Sequence, residues 1–199
     1  DAVAAAHQAM EHSVFVAEAE ADADYVLECA DGKYRLRRAV DDHELTVPSS
    51  SADEAVRNLE HITRWRYFAE LDNPVSAIED SEFEVKVFSG QTGSEELSGT
   101  DVRLTATRDE NGLIPPTFRV SFRNRGTRDL YFGLLALDEL FACSTDLVKA
   151  GVMRLGPGDE AGWALDGKAL KSSIPQVLRD EGRTESRDIL KTIVSTRSF

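Results

Sequence analysis

Two cysteines and four histidines are the side chains whose chemistry would mark an active site, and their neighbours argue against one. A cysteine peptidase needs a thiol activated by a converging His. Phe141-Ala-Cys143-Ser contains an Ala-Cys pair, but no Gly follows to form an oxyanion turn. None of His7, His12, His43 and His61 is followed by Gly either. Free cysteine is among the most buried residue types, so Cys143 reads as a small core side chain. His7-Gln-Ala-Met-Glu11-His12 resembles a zinc helix at the wrong spacing. Five residues turn through about 500°, which aims the two rings about 140° apart instead of at one ion. Asp22-x-Asp24 opens like a calcium loop, yet Val26 stands where an oxygen ligand is needed. Gly156-Pro157-Gly158 lacks the Lys of a phosphate loop and reads as a turn between strands. No G-x-S-x-G elbow is present. The sequence assigns no catalytic residue, no metal ligand and no cofactor.

One patterned group of charges remains. Phe118, Val120 and Phe122 alternate with Arg119, Ser121 and Arg123, and Arg125 and Arg128 follow. In a strand this alternation sends the aromatics inward and the arginines outward. Arg119, Arg123, Arg125 and Arg128 are therefore the candidate partner-binding residues, a cationic stripe able to meet a partner's carboxylates. The competing reading is an ordinary polar outer face. Arg35, Arg37 and Arg38 are a possible extension of the stripe.

These residues sit in an acidic chain of 199 residues, with 36 acidic and 23 basic side chains and a net charge of -13. Such a balance repels polyanions, so nucleic acid and anionic membrane are not expected partners. No apolar run approaches the roughly 18 residues that span a bilayer. Cys29 and Cys143 make neither a disulfide framework nor a CxxC knuckle. Free thiols point to a reducing compartment, so the expected location is the cytoplasm. The start Asp1–Ala6 carries no initiator Met and no targeting segment, which suggests a piece of a longer polypeptide.

The elements that must position the arginines follow from periodicity. Ala2 to Val16 is rich in helix formers. Tyr25, Leu27 and Cys29 alternate with polar neighbours, Asp31-Gly32 suits a tight turn, and Tyr34 and Leu36 alternate again, which predicts a hairpin. Glu44–Val47 is a further short strand candidate. Ser51-x-x-Glu54 reads as a capping box. Ala55, Val56, Leu59, Ile62, Trp65, Phe68 and Ala69 then recur at helical spacing, predicting a buried stripe on a helix over 52–71 that stops before Asn73-Pro74. Beyond Val75 strand patterns dominate: 82–88, 101–107, 117–124, 129–138, 140–144, 152–155, 161–165 and 188–195. Leu178 to Glu185 is ambiguous. The expected fold is α+β, mainly an antiparallel β-sandwich preceded by a small α/β segment. Its domains are expected at 1–74 and 75–199.

Several blocks carry a family resemblance. Ala23-Asp-Tyr25 with Asp31-Gly-Lys-Tyr34, Leu59-Glu-His-Ile-Thr-Arg-Trp65 and Leu71-Asp-Asn-Pro74 form the first part. Phe118-Arg-Val-Ser-Phe-Arg-Asn124, Leu130-Tyr-Phe-Gly-Leu-Leu-Ala-Leu137, Leu155-Gly-Pro-Gly158 and Asp188-Ile-Leu-Lys-Thr-Ile-Val-Ser-Thr196 form the second. Together they resemble the non-catalytic C-terminal region of bacterial caspase-family cysteine peptidases, from about residue 23 onward. The resemblance implies a regulatory or partner-recognition module with the catalytic His and Cys upstream of this chain. The implied partner is the peptidase domain of the same polypeptide, or another protein. Two alternatives stand beside it. One is an independent sandwich that binds carbohydrate or peptide, with Trp163 as a possible stacking platform. The other is a signalling fragment released by proteolysis.

Overall fold

The computed structural model describes residues 2–90, 95–110, 112–148, 151–162 and 169–199. The chain divides into two compact units, Asp1–Leu71 and Asp72–Phe199. The fold is α+β and mostly β, with three α-helices and many antiparallel strands in several sheets among the described residues. Among the described residues no helix is long and apolar enough to cross a membrane.

The first unit holds α1 (Ala2–Met10), the hairpin β1 (Tyr25–Ala30) and β2 (Lys33–Arg38), and α2 (Ala52–Glu70). The hairpin turn is Asp31-Gly32, both at positive φ (54° and 72°), which Gly adopts without strain and Asp tolerates. Tyr34 and Leu36 are buried, and segment 43–49 hydrogen-bonds to β2 through Leu45 N–H to Leu36 O and a reciprocal Tyr34–Ser49 pair. Glu44–Val47 thus borders β2 through isolated bridges rather than as a strand.

α1 is shorter than its composition suggests. Ser13 Oγ accepts from the amides of Phe15 and Val16, drawing the backbone into a turn that competes with helix after Met10. At the start of α2, Ser51 Oγ accepts from Glu54 N–H at 3.3 Å as a capping box requires. The return half differs: the Glu54 carboxylate takes the Ser50 amide (2.9 Å) and hydroxyl (3.1 Å). Those bonds hold the Glu54 carboxyl below the usual glutamate range.

The predicted buried stripe of α2 is only partly realised. Ala52, Ala55, Val56, Leu59 and Ile62 are buried, whereas Trp65 and Ala69 are half-buried and Phe68 is 39% exposed. The buried positions all lie in the first three turns, and the start of the helix packs on α1 and β2, where Ala52 and Ala55 join Ala6 and Tyr34. Phe68→Ala should therefore change stability by less than about 1 kcal/mol, the range of surface substitutions, as read by urea denaturation.

The second unit is a two-sheet sandwich. β3 (Phe83–Ser89), β4 (Glu95–Leu97), β7 (Thr117–Asn124), β11 (Glu160–Gly162) and β12 (Leu170–Lys171) form a five-stranded sheet in which β3 and β7 are central. β8 (Leu130–Leu137), β9 (Cys143–Ser144), β10 (Val152–Leu155) and β13 (Ile189–Ser195) form a four-stranded sheet around β8. β5 (Thr107–Asp109) and β6 (Gly112–Ile114) make a separate small hairpin, and α3 (Gln176–Asp180) overlaps the ambiguous stretch only over 178–180. The strand expected over 101–107 is absent up to 106, where the chain carries no regular structure, and Leu104 packs on the core. Part of the 161–165 expectation lies outside the described residues, as do Asn111 and Trp163.

The core forms where the two sheets face each other. Phe118, Val120 and Phe122 from β7 meet Leu130, Phe132 and Leu134 from β8, with Val148, Leu155 and Leu170 closing the ends. Phe132 packs against Phe122 (centroids 5.6 Å) and edge-on to Phe83 (6.4 Å). Asn124, fully buried at the end of β7, ties the sheets together. Its side-chain amide donates to Arg128 O (2.8 Å) and Leu155 O (2.9 Å), and its Oδ1 accepts from Gly126 N–H (2.9 Å).

Candidate functional site

The alternation of β7 positions the arginines. Phe118, Val120, Phe122 and Asn124 are buried, so Thr117, Arg119, Ser121 and Arg123 occupy the outward face of the five-stranded sheet. Arg123 is exposed and lies in register with Glu84 of β3 on one side and Glu160 of β11 on the other. Arg119, two residues earlier on the same face, is half-buried and pairs in register with Phe88.

Arg125 and Arg128 do different work. They follow the strand, and both reach back to the edge where β3 begins. Arg125 meets Glu84 Oε1 at 2.7 Å. Arg128 donates to Ala77 O at 2.7 Å and meets Glu82 Oε1 at 3.3 Å. Glu82 lies in the 3-10 turn Asp80–Glu82 that precedes β3. These two guanidinium groups fasten the turn after β7 to the neighbouring strand, and their charge is spent within the sheet. Sequence reasoning placed all four in one stripe because it could not see which carboxylates β3 brings alongside.

The rest of that face is an alternating-charge lattice. Lys86 Nζ meets Glu96 at 2.9 Å and Glu84 at 3.6 Å, and these partners, Glu96 first, hold its ammonium above the usual lysine range. Ser121, buried at 6% exposure, donates to Glu160 Oε1 at 3.0 Å. Pairs of this kind on a strand surface each contribute a few tenths of a kcal/mol, up to about 1 kcal/mol. The face is ionic, with acidic and basic side chains alternating across neighbouring strands.

In the first unit, Arg37 pairs with Glu28 and Asp42, Arg35 with Glu44 at 3.8 Å, and Arg38 with Asp41 at 3.3 Å. Each of these cations is engaged on its own hairpin surface.

Cys143 departs from expectation: it is exposed, not a core residue. β9 is only two residues long and borders the end of β8, so its side chains stand at the rim of the sheet. Partial burial pushes the Cys143 thiol up, the opposite of what an activated nucleophile needs. Cys29 is exposed as well. His12 and Cys29 both line a shallow groove of about 670 Å³ beside α1 and the start of α2. Among the described residues no group of three or more His, Cys, Asp and Glu could hold a metal ion.

A second charged cluster has consequences for pH. Glu139, in the turn after β8, takes Arg183 on Oε1 and the Arg187 amide on Oε2. Partial burial raises the neighbouring Asp188 carboxyl above the ordinary aspartate range, and the like charges of Asp138 and Glu139 add to it. An acid raised in the native state binds its proton more tightly than in the unfolded chain. Stability is therefore greatest below the ordinary aspartate pKa and is lost as pH rises through the raised value. Asp188→Asn should stabilise the protein at pH 7 and leave it unchanged near pH 3. Water screens the exposed carboxyl, so the gain is about 1 kcal/mol or less. Thermal melts of both proteins at the two pH values check this.

Comparison with known proteins gave no match: no family model, no curated protein and no solved structure matches the chain.

Proposed function

We propose that the chain is a non-catalytic partner-recognition module, acting through the outward face of β7, within a caspase-like cysteine peptidase. The observation that carries it is Arg123, exposed near the end of the central strand β7 with Arg119 two residues earlier on the same face. Arg125 and Arg128 stiffen that face by binding Glu84 and Glu82. A planar guanidinium on a fixed strand can grip a partner carboxylate in two places. The raised Cys143 thiol supports a module without peptide-bond chemistry of its own. The blocks that resemble the caspase family supply the proposed partner, a peptidase domain carried by the same polypeptide.

The catalytic half of this reading is tested on residues 1–199 alone. No turnover of fluorogenic peptide substrates is expected, before or after Cys143→Ala. Steady turnover that disappears in Cys143→Ala would overturn it.

A further inference from the structure

Arg123 of β7 stands in one row with Glu84 of β3 and Glu160 of β11, its in-register neighbours on either side. Neighbouring strands lie about 4.8 Å apart, so three ionised groups placed this way should neutralise one another. They do not. Among the described residues the Arg123 guanidinium makes no ion pair and no hydrogen bond.

Both carboxylates are drawn away from it. Glu84 takes Arg125 at 2.7 Å and Lys86 at 3.6 Å. Glu160 leans along the strands to Ser121, whose hydroxyl donates to its Oε1 at 3.0 Å. Glu160 meets no basic side chain among the described residues and, like Arg123, is exposed. The fold therefore leaves one cation and one anion side by side on the outward face, each without a counter-ion.

Together they restrict what can lie on them. A guanidinium offers only donors, so the group over Arg123 must be an acceptor, best a carboxylate. A uniformly acidic surface is repelled there by Glu160 and Glu84, and by a chain of net charge -13. A uniformly basic surface sets like charge against Arg123. The complement is a pair of opposite charges at the same spacing. Side chains one turn apart on a helix lie about 5–6 Å from each other and supply it.

We propose that Arg123 and Glu160 together dock a partner helix presenting a carboxylate and a basic side chain one turn apart. The carboxylate lies on Arg123 and the base on Glu160, with Ser121 holding Glu160 in place. This rests on the reading of the β7 face as a recognition surface and narrows its partner to an acid–base pair.

The test follows the Arg123 side-chain Nε–H signal of isotope-labelled residues 1–199 by NMR at low salt. Three alanine-rich helical peptides are titrated, matched in net charge by residues on their far face. The first carries Glu and Lys four residues apart, the second Glu at both positions and the third Lys at both. The mixed peptide should shift the Arg123 signal at millimolar concentration. The two uniform peptides should bind at least about threefold more weakly, the scale of one exposed ion pair. Glu160→Gln keeps an oxygen for the Ser121 hydroxyl and should abolish the preference for the mixed peptide over the Glu peptide. Equal or tighter binding of a uniform peptide to the wild type would overturn the paired site while leaving the recognition face standing. If no peptide moves the signal, recognition through β7 falls with it. A shift on dilution of the protein alone would assign the pair to a second copy of this chain, which also overturns the proposal.

Discussion

Asn124→Ala should destabilise the second unit by about 3–5 kcal/mol, among the largest effects of any single substitution. The side chain is fully buried and meets three backbone groups: the carbonyls of Arg128 and Leu155 and the amide of Gly126. Truncation strands all three away from water, and each unsatisfied group costs about 1–3 kcal/mol. Leu155 belongs to the opposite sheet, so the loss also unties the corner where β7 gives way to β8. Asn124→Asp separates this from simple volume loss. It keeps the shape but turns an acceptor toward two carbonyl oxygens, so it should be at least as harmful at pH 7. Acid, which protonates the new carboxyl and restores one donor, should partly relieve it. Urea denaturation at two pH values reads both.

Phe132→Ala should cost a similar amount, about 3–5 kcal/mol, by a different route. The ring is fully buried between the sheets and packs on Phe122 and Phe83. Its removal leaves a cavity that flanking strands cannot close, since both sheets are pinned by their ladders. Phe132→Leu refills part of that volume and should recover more than half of the loss. A Phe132→Ala cost below about 1 kcal/mol, measured by urea denaturation, would mean that the two sheets are not packed through this ring.

The parts of this architecture that were legible in the sequence are those governed by local periodicity. Asp31-Gly32 fixed a two-residue turn because few other pairs tolerate positive φ at both positions. β7 was visible over 117–124 because Phe118, Val120 and Phe122 alternate cleanly. Other features depend on what a strand lies beside. Nothing local announces that Glu82 and Glu84 will arrive next to Arg128 and Arg125, so the four arginines read as one stripe. The helical spacing of Trp65 and Phe68 gives a face, but the elements packed against the first turns of α2 decide how much of it is covered. β4, β6 and β12 are two or three residues long, too short for a pattern.

The recognition role is tested most directly by titrating the proposed peptidase-domain partner against three forms of residues 1–199, at low salt, by calorimetry. The forms are wild type, Arg119→Ser with Arg123→Ser, and Arg125→Ser with Arg128→Ser. Exposed ion pairs contribute about 0.2–1 kcal/mol each. The first double variant should therefore bind about three- to tenfold more weakly, chiefly through a slower on-rate, and the difference should shrink as salt is added. The second should lose stability more than affinity, since its arginines are held by Glu84 and Glu82. Equal affinities for wild type and Arg119→Ser with Arg123→Ser at low salt would contradict the account.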